Sequence, residues 1–121
     1  MKYLDIKPIL IIILILSPTY TYAWNSLWKN KNQQAKELMQ QGLFSQAQTT
    51  FQHTAWRAAA AFRAQDYKTA AAIYASLPDV DSLYNLANTL VKLNNYQDAL
   101  NAYNKVLKQQ TTHAEDRKSV V

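Results

Sequence analysis

One spacing, written three times, constrains the fold of this 121-residue chain more than any other feature. An aromatic residue, an alanine three positions on and a second aromatic four positions later occur at Phe44, Ala47 and Phe51. They recur at Tyr67, Ala70 and Tyr74, and again at Tyr96, Ala99 and Tyr103. Steps of three and four hold side chains on one face of a helix, whereas a strand requires alternation. The small residue between the rings suits a close helix crossing, because the distance between packed helices depends on the side chains at the contact. A polar turn stands before each triplet: Gln40-Gln41-Gly42-Leu43, Arg63-Ala64-Gln65-Asp66 and Lys92-Leu93-Asn94-Asn95. Ahead of every turn runs another apolar-periodic stretch. The pattern predicts helix–turn–helix, three times over. With one glycine and three prolines, the chain lacks the turn chemistry that repeated short strands need, so the expected class is all-α.

Composition narrows the functions open to such a chain. The net charge is +5, but its cations stand singly, with no run to neutralise consecutive phosphates and no basic stripe with interleaved aromatics. Nucleic acid is therefore not the expected partner. Absence of cysteine removes disulfides, thiolate metal sites and a thiol nucleophile. His53 and His113 stand far apart without an acidic ligand at helical spacing, so no metal site is expected. Ser45, Ser76 and Ser82 fall in turns or caps, outside any nucleophile motif. Asp79 and Asp81 follow Pro78 where a helix should start, the place for a cap. One glycine cannot build a phosphate-cradling loop. The expectation is a protein that is not an enzyme and carries no cofactor.

Residues 1–23 read as a unit of their own. Lys2 and Lys7 mark a charged start, Ile9 to Leu16 is an unbroken Ile/Leu run, Ser17-Pro18-Thr19 breaks it, and Ala23 supplies a small residue for cleavage. That is the order of a secretory signal peptide. Extended through its Tyr/Thr flank to Trp24, the segment reaches the short end of the spanning range, which leaves a retained membrane anchor open. Either way the remainder is expected outside the cytoplasm, in the periplasm or on the extracytoplasmic face of a bacterial inner membrane. Trp24 and Trp28 would suit a headgroup belt if the leader is kept.

The third unit, residues 80–113, resembles a full 34-residue tetratricopeptide repeat (TPR). Leu86, Ala87, Tyr96, Ala99, Tyr103 and Val106 fall on the repeat's characteristic positions. Leu83, Leu90, Val106 and Thr111 depart from its preferred residues without breaking the apolar pattern. The first two units are abbreviated, since Ala47 to Ala70 is 23 residues and Ala70 to Ala99 is 29. Together with Trp24-Asn25-Ser26-Leu27-Trp28, Asn32-Gln33-Gln34, Gln41-Gly42, Phe51-Gln52 and Ala55-Trp56-Arg57, these lengths make residues 24–113 similar to the TPR segment of Bat-type aerotolerance proteins. Those are membrane-linked bacterial proteins encoded beside von Willebrand A-domain partners and a MoxR-type ATPase. The resemblance implies a short TPR superhelix behind a signal or anchor segment, with units at about 24–54, 55–79 and 80–113. Residues 114–121 read as an incomplete fourth-unit helix or a truncated tail.

What the resemblance implies for function is a non-enzymatic protein-binding scaffold of the cell envelope, with a von Willebrand A-domain membrane protein as a candidate partner. A soluble periplasmic TPR factor for envelope or surface assembly is the alternative. In TPR arrays the first helix of each unit lines a groove. Its groove positions fall here on Asn32, Lys36, Met39 and Gln40, on Ala55, Ala59, Phe62 and Arg63, and on Tyr84, Asn88, Val91 and Lys92. The expected peptide site is Lys36, Phe62, Arg63, Tyr84, Asn88 and Lys92. Its three cations favour an acidic segment or a chain-terminal carboxylate.

Overall fold

A computed structural model describes residues 27–119. The leader, residues 1–23, and Trp24 lie outside the described residues. Among the described residues there are six helices and no strand: α1 Lys31–Gln40, α2 Phe44–Thr50, α3 Thr54–Arg63, α4 Tyr67–Ala75, α5 Val80–Lys92 and α6 Tyr96–Ser119. None of these is long and apolar enough to cross a membrane.

Each triplet opens a helix, because Phe44, Tyr67 and Tyr96 are the first residues of α2, α4 and α6. The turns before them share one geometry. Gly42, Gln65 and Asn94 all have positive φ, at 76°, 63° and 59°. In every case the next residue's N–H reaches back to a carbonyl of the preceding helix at 2.9 Å: Leu43 to Leu38, Asp66 to Ala61, Asn95 to Leu90. The positive-φ residue itself donates to Met39, Phe62 or Val91. This pair of bonds satisfies carbonyls that a helix end would otherwise leave open, and it is the Schellman closure. Only one of the three turns uses glycine, so two units adopt the left-handed conformation with a side chain in place.

Several helix starts are capped individually. Asn30 and Gln33 form a reciprocal capping box at α1. Asp66 caps α4 by accepting from the Thr69 N–H, and its carboxylate also accepts from the Gln48 amide at 3.0 Å. Asp79 caps α5 by accepting from the backbone N–H and the hydroxyl of Ser82. These bonds hold both carboxyls below their ordinary value of 3.8, led by Gln48 at Asp66 and by the Ser82 hydroxyl at Asp79. Ser45 lies on α2 itself, one residue past its start. The link from α2 to α3 is fastened by Asn32, whose Oδ1 accepts from the N–H groups of Gln52 and His53 at 2.9 and 3.1 Å.

Helices pack chiefly on their chain neighbours, and alanine makes the contact. Ala35, Ala58 and Ala87 in the first helix of each pair are fully buried. Twelve residues on, Ala47 and Ala70 are at 0% exposure and Ala99 at 2%. A twelve-residue offset is thus kept across all three pairs. Ala35, Ala47, Phe51 and Ala60 form one core cluster, while Ala58, Ala61, Ala70 and Tyr74 form a second that reaches Leu86. Helix α3 serves both, which explains why it buries three alanines. A β-carbon on each side is all that a helix between two neighbours has room for.

Two features differ from the sequence-based expectation. Tyr96 does not pack like its counterparts: it is 62% exposed, and Leu100 and Leu107 on the same helix are 54% and 58% exposed. No following helix lies against α6 among the described residues, so the ring that opens the last triplet has nothing to cover it. The segment from Ala114 onward does not start a separate fourth-unit helix either. It continues α6 without a break to Ser119, running well past the length of α5.

Candidate binding groove

Helices α1, α3 and α5, the first of each pair, line two adjoining hollows. One, of about 330 Å³, lies between α1 and α3 and is walled by Lys36, Met39, Gln40, Phe51, Trp56 and Ala59. The other, of about 310 Å³, is bounded by Met39, Ala59, Phe62 and Arg63, with Tyr74 from α4 and with Asn85 and Asn88 from α5. Met39 and Ala59 line both, so the two hollows adjoin along one groove face. No carboxylate lines either hollow.

The cations of the groove rest on rings. Lys36 Nζ sits 4.3 Å from the ring centroid of Trp56, and the Arg63 guanidinium carbon 4.7 Å from that of Phe44. Such contacts hold a cation in place while its charge stays available to a ligand. Trp56 is 38% exposed and is fixed from two more sides. Its ring lies 4.5 Å from His53 and meets Phe51 edge-on at 5.9 Å. His53 has a structural task at the start of α3, where Nδ1 accepts from the Trp56 N–H at 3.4 Å. Phe62 is steadied by an edge-on contact with Tyr67 at 5.3 Å. Asn88 is oriented by the Tyr103 hydroxyl, which donates to its Oδ1 and leaves the amide N–H groups facing the groove. Burial raises the Tyr74 hydroxyl above its ordinary value of 10.0, so the floor of the second hollow stays neutral.

Four of the six residues expected from the sequence are therefore brought together: Lys36 in the first hollow, and Phe62, Arg63 and Asn88 in the second. Tyr84 and Lys92 line neither. Tyr84 is half exposed and lies edge-on to Tyr103 at 5.8 Å, and Lys92 is the exposed last residue of α5. Sequence reasoning missed Asn85, which takes the place expected of Tyr84. It also missed Trp56, which is absent from the expected peptide site. The signal for Trp56 was its position one residue after the groove position Ala55, on a helix otherwise rich in alanine.

On the far side of α5, Leu83, Leu86 and Leu90 face a different hollow of about 420 Å³, together with Ala71 and Ala75 of α4. The opposite helix faces of the leucines and of Asn85 and Asn88 keep the two concavities apart. No grouping of His, Asp and Glu suited to a metal ion occurs among the described residues. What the groove offers is charge, amide and ring, the means of binding.

Residues 80–112 match the tetratricopeptide repeat family. They comprise α5 and the first part of α6, so the third helix pair is similar to a tetratricopeptide repeat. No curated protein and no solved structure gave a match to the chain.

Proposed function

We propose that this protein is a non-enzymatic scaffold that holds a segment of another protein in the groove along α1, α3 and α5. The observation that carries the reading is the groove itself: two hollows that share Met39 and Ala59, with ring-held cations and no carboxylate. Tetratricopeptide repeats generally bind proteins or peptides, and the repeat at 80–112 supports the same role here. The cations select an acidic segment or a chain-terminal carboxylate. The partner is a von Willebrand A-domain membrane protein in a Bat-like complex, and the site of action is the extracytoplasmic side of a bacterial membrane. The abbreviated first two units, the strings around Trp24 to Trp56 and the signal-like order of residues 1–23 support that placement.

Affinity capture with the tagged chain, followed by mass spectrometry, tests the partner; enrichment of von Willebrand A-domain proteins is expected, and their absence would reject the Bat-like assignment. Lys36→Ala with Arg63→Ala should weaken capture about tenfold, equivalent to about 1.4 kcal/mol. Arg63→Ala with Lys92→Ala should cost less, because Lys92 stands outside both hollows. N-terminal sequencing of exported protein should begin at Trp24, and a start at Met1 would favour a retained anchor.

A further inference from the structure

The hollow between α1 and α3 has a composition that a purely ionic binding site would not need. Phe51 is buried, Trp56 stands 38% exposed, and with Met39 and Ala59 they make the lining mostly apolar, Gln40 and Lys36 being its polar members. Lys36 is the only charged residue among its walls, and its ammonium is held over the Trp56 face. Trp56 is itself immobilised by Phe51 and His53, so the cavity exists before anything enters it. A site formed in advance spares the ligand the cost of ordering it. Exposed tryptophan beside a desolvated floor is also the residue type most often found to dominate binding energy.

We infer that this hollow is a side-chain pocket, and that the partner segment presents a bulky apolar residue with an acidic residue close beside it. The inference rests on the groove reading above and adds the determinant of specificity. The apolar side chain enters against Trp56 and Phe51, displacing water from ring surface that is otherwise wet. The neighbouring carboxylate meets Lys36, which the ring already holds at the pocket's edge. The absence of carboxylates from both hollows gives the groove the complementary sign. The segment then continues across Ala59 toward Arg63, where Asn85 and Asn88 can donate to its backbone carbonyls.

Fluorescein-labelled Gly/Ser peptides carrying a Phe-Asp pair, Asp alone, Phe alone or neither, titrated by anisotropy onto the full chain at low salt, test this directly. The Phe-Asp peptide should bind about tenfold more tightly than the Asp peptide, equivalent to about 1.4 kcal/mol. Trp56→Ala should erase that advantage, and Trp56→Phe should keep most of it. Equal affinity of the Phe-Asp and Asp peptides, or an equal loss of both in Trp56→Ala, overturns the pocket. Should Trp56→Ala lose helical content, the four peptides compared on the wild-type chain decide the matter. The two levels of the argument fail separately: Asp-dependent binding without a Phe preference removes the pocket and leaves the groove, whereas no binding by any peptide removes both.

Discussion

The first two helix pairs and the third are built on the same internal contact and differ almost entirely in length. Ala35 with Ala47, Ala58 with Ala70 and Ala87 with Ala99 keep one offset and one degree of burial, and all three pairs close through the same two hydrogen bonds. Yet α2 and α4 are 7 and 9 residues long, while α6 runs for 24. Only the third pair matches the repeat family. What makes a helix pair is therefore the alanine contact and the turn. What makes it recognisable as a full repeat is helix length, which the first two pairs have shortened without giving up either.

That equivalence can be broken most forcefully at the alanines. Ala70→Leu and Ala99→Leu should each cost about 1–3 kcal/mol by overpacking the crossing. Ala70 should lie at the upper end, because α4 packs against both α3 and α5, whereas among the described residues α6 packs chiefly on α5. Urea denaturation of the two variants measures the difference, and a larger cost at Ala99 would contradict it.

A smaller test concerns the turns. Gln65→Gly should stabilise by about 0.5–1 kcal/mol, since a left-handed residue with a side chain is strained and glycine is not. Gly42→Ala should destabilise by a similar amount, and solely through the backbone, because an added Cβ would meet nothing within 4 Å. Asn94→Gly should change least, as asparagine tolerates this conformation. If all three turns responded alike, the side chain at the turn would not matter.

Acid should separate the pairs more gently. Asp66 and Asp79 have folded-state values below the ordinary one, so their contribution is present above about pH 3.9 and fades as pH falls through the lowered values. Both belong to α4 and α5, whereas α1 is capped by neutral Asn30. Asp79→Asn should flatten the fall in urea midpoint between pH 7 and pH 3 and leave a neutral cap in place. At the bottom of the scale, Ser45→Ala on the exposed side of α2 should alter stability by less than about 0.5 kcal/mol.

Much of this architecture was legible because its determinants are local. A three-then-four spacing fixes a helical face, and Gly42 and Asp79 announce a turn and a cap. The turns at Gln65 and Asn94 were visible as polar breaks, but not their conformation, which the helix pairs impose on residues without a glycine's freedom. Ala114 to Ser119 is polar and helix-forming, equally suited to starting a helix or prolonging one, and here it prolongs α6. Tyr96 repeats the spacing of Phe44 and Tyr67, yet burial depends on a packed neighbour, and none covers it among the described residues. In the groove, the positions that the repeat resemblance implied place Lys36, Phe62, Arg63 and Asn88 along the two hollows. Tyr84 gave way to Asn85 because a one-residue step turns a helical side chain by about 100°, enough to exchange a groove wall for its rim.

The turn that closes each pair spans only six residues, from Leu38 to Leu43, Ala61 to Asp66 and Leu90 to Asn95. Each pair can consequently assemble from residues that are already near one another, with little loop entropy to overcome. Packing between consecutive helices then lets order spread from one pair to the next, as in other repeat arrays. Chains dominated by such near-neighbour contacts reach the native state rapidly. The longest pair, α5 with α6, has the most local surface with which to begin, so the natural direction of spread is from the carboxyl end back toward α1.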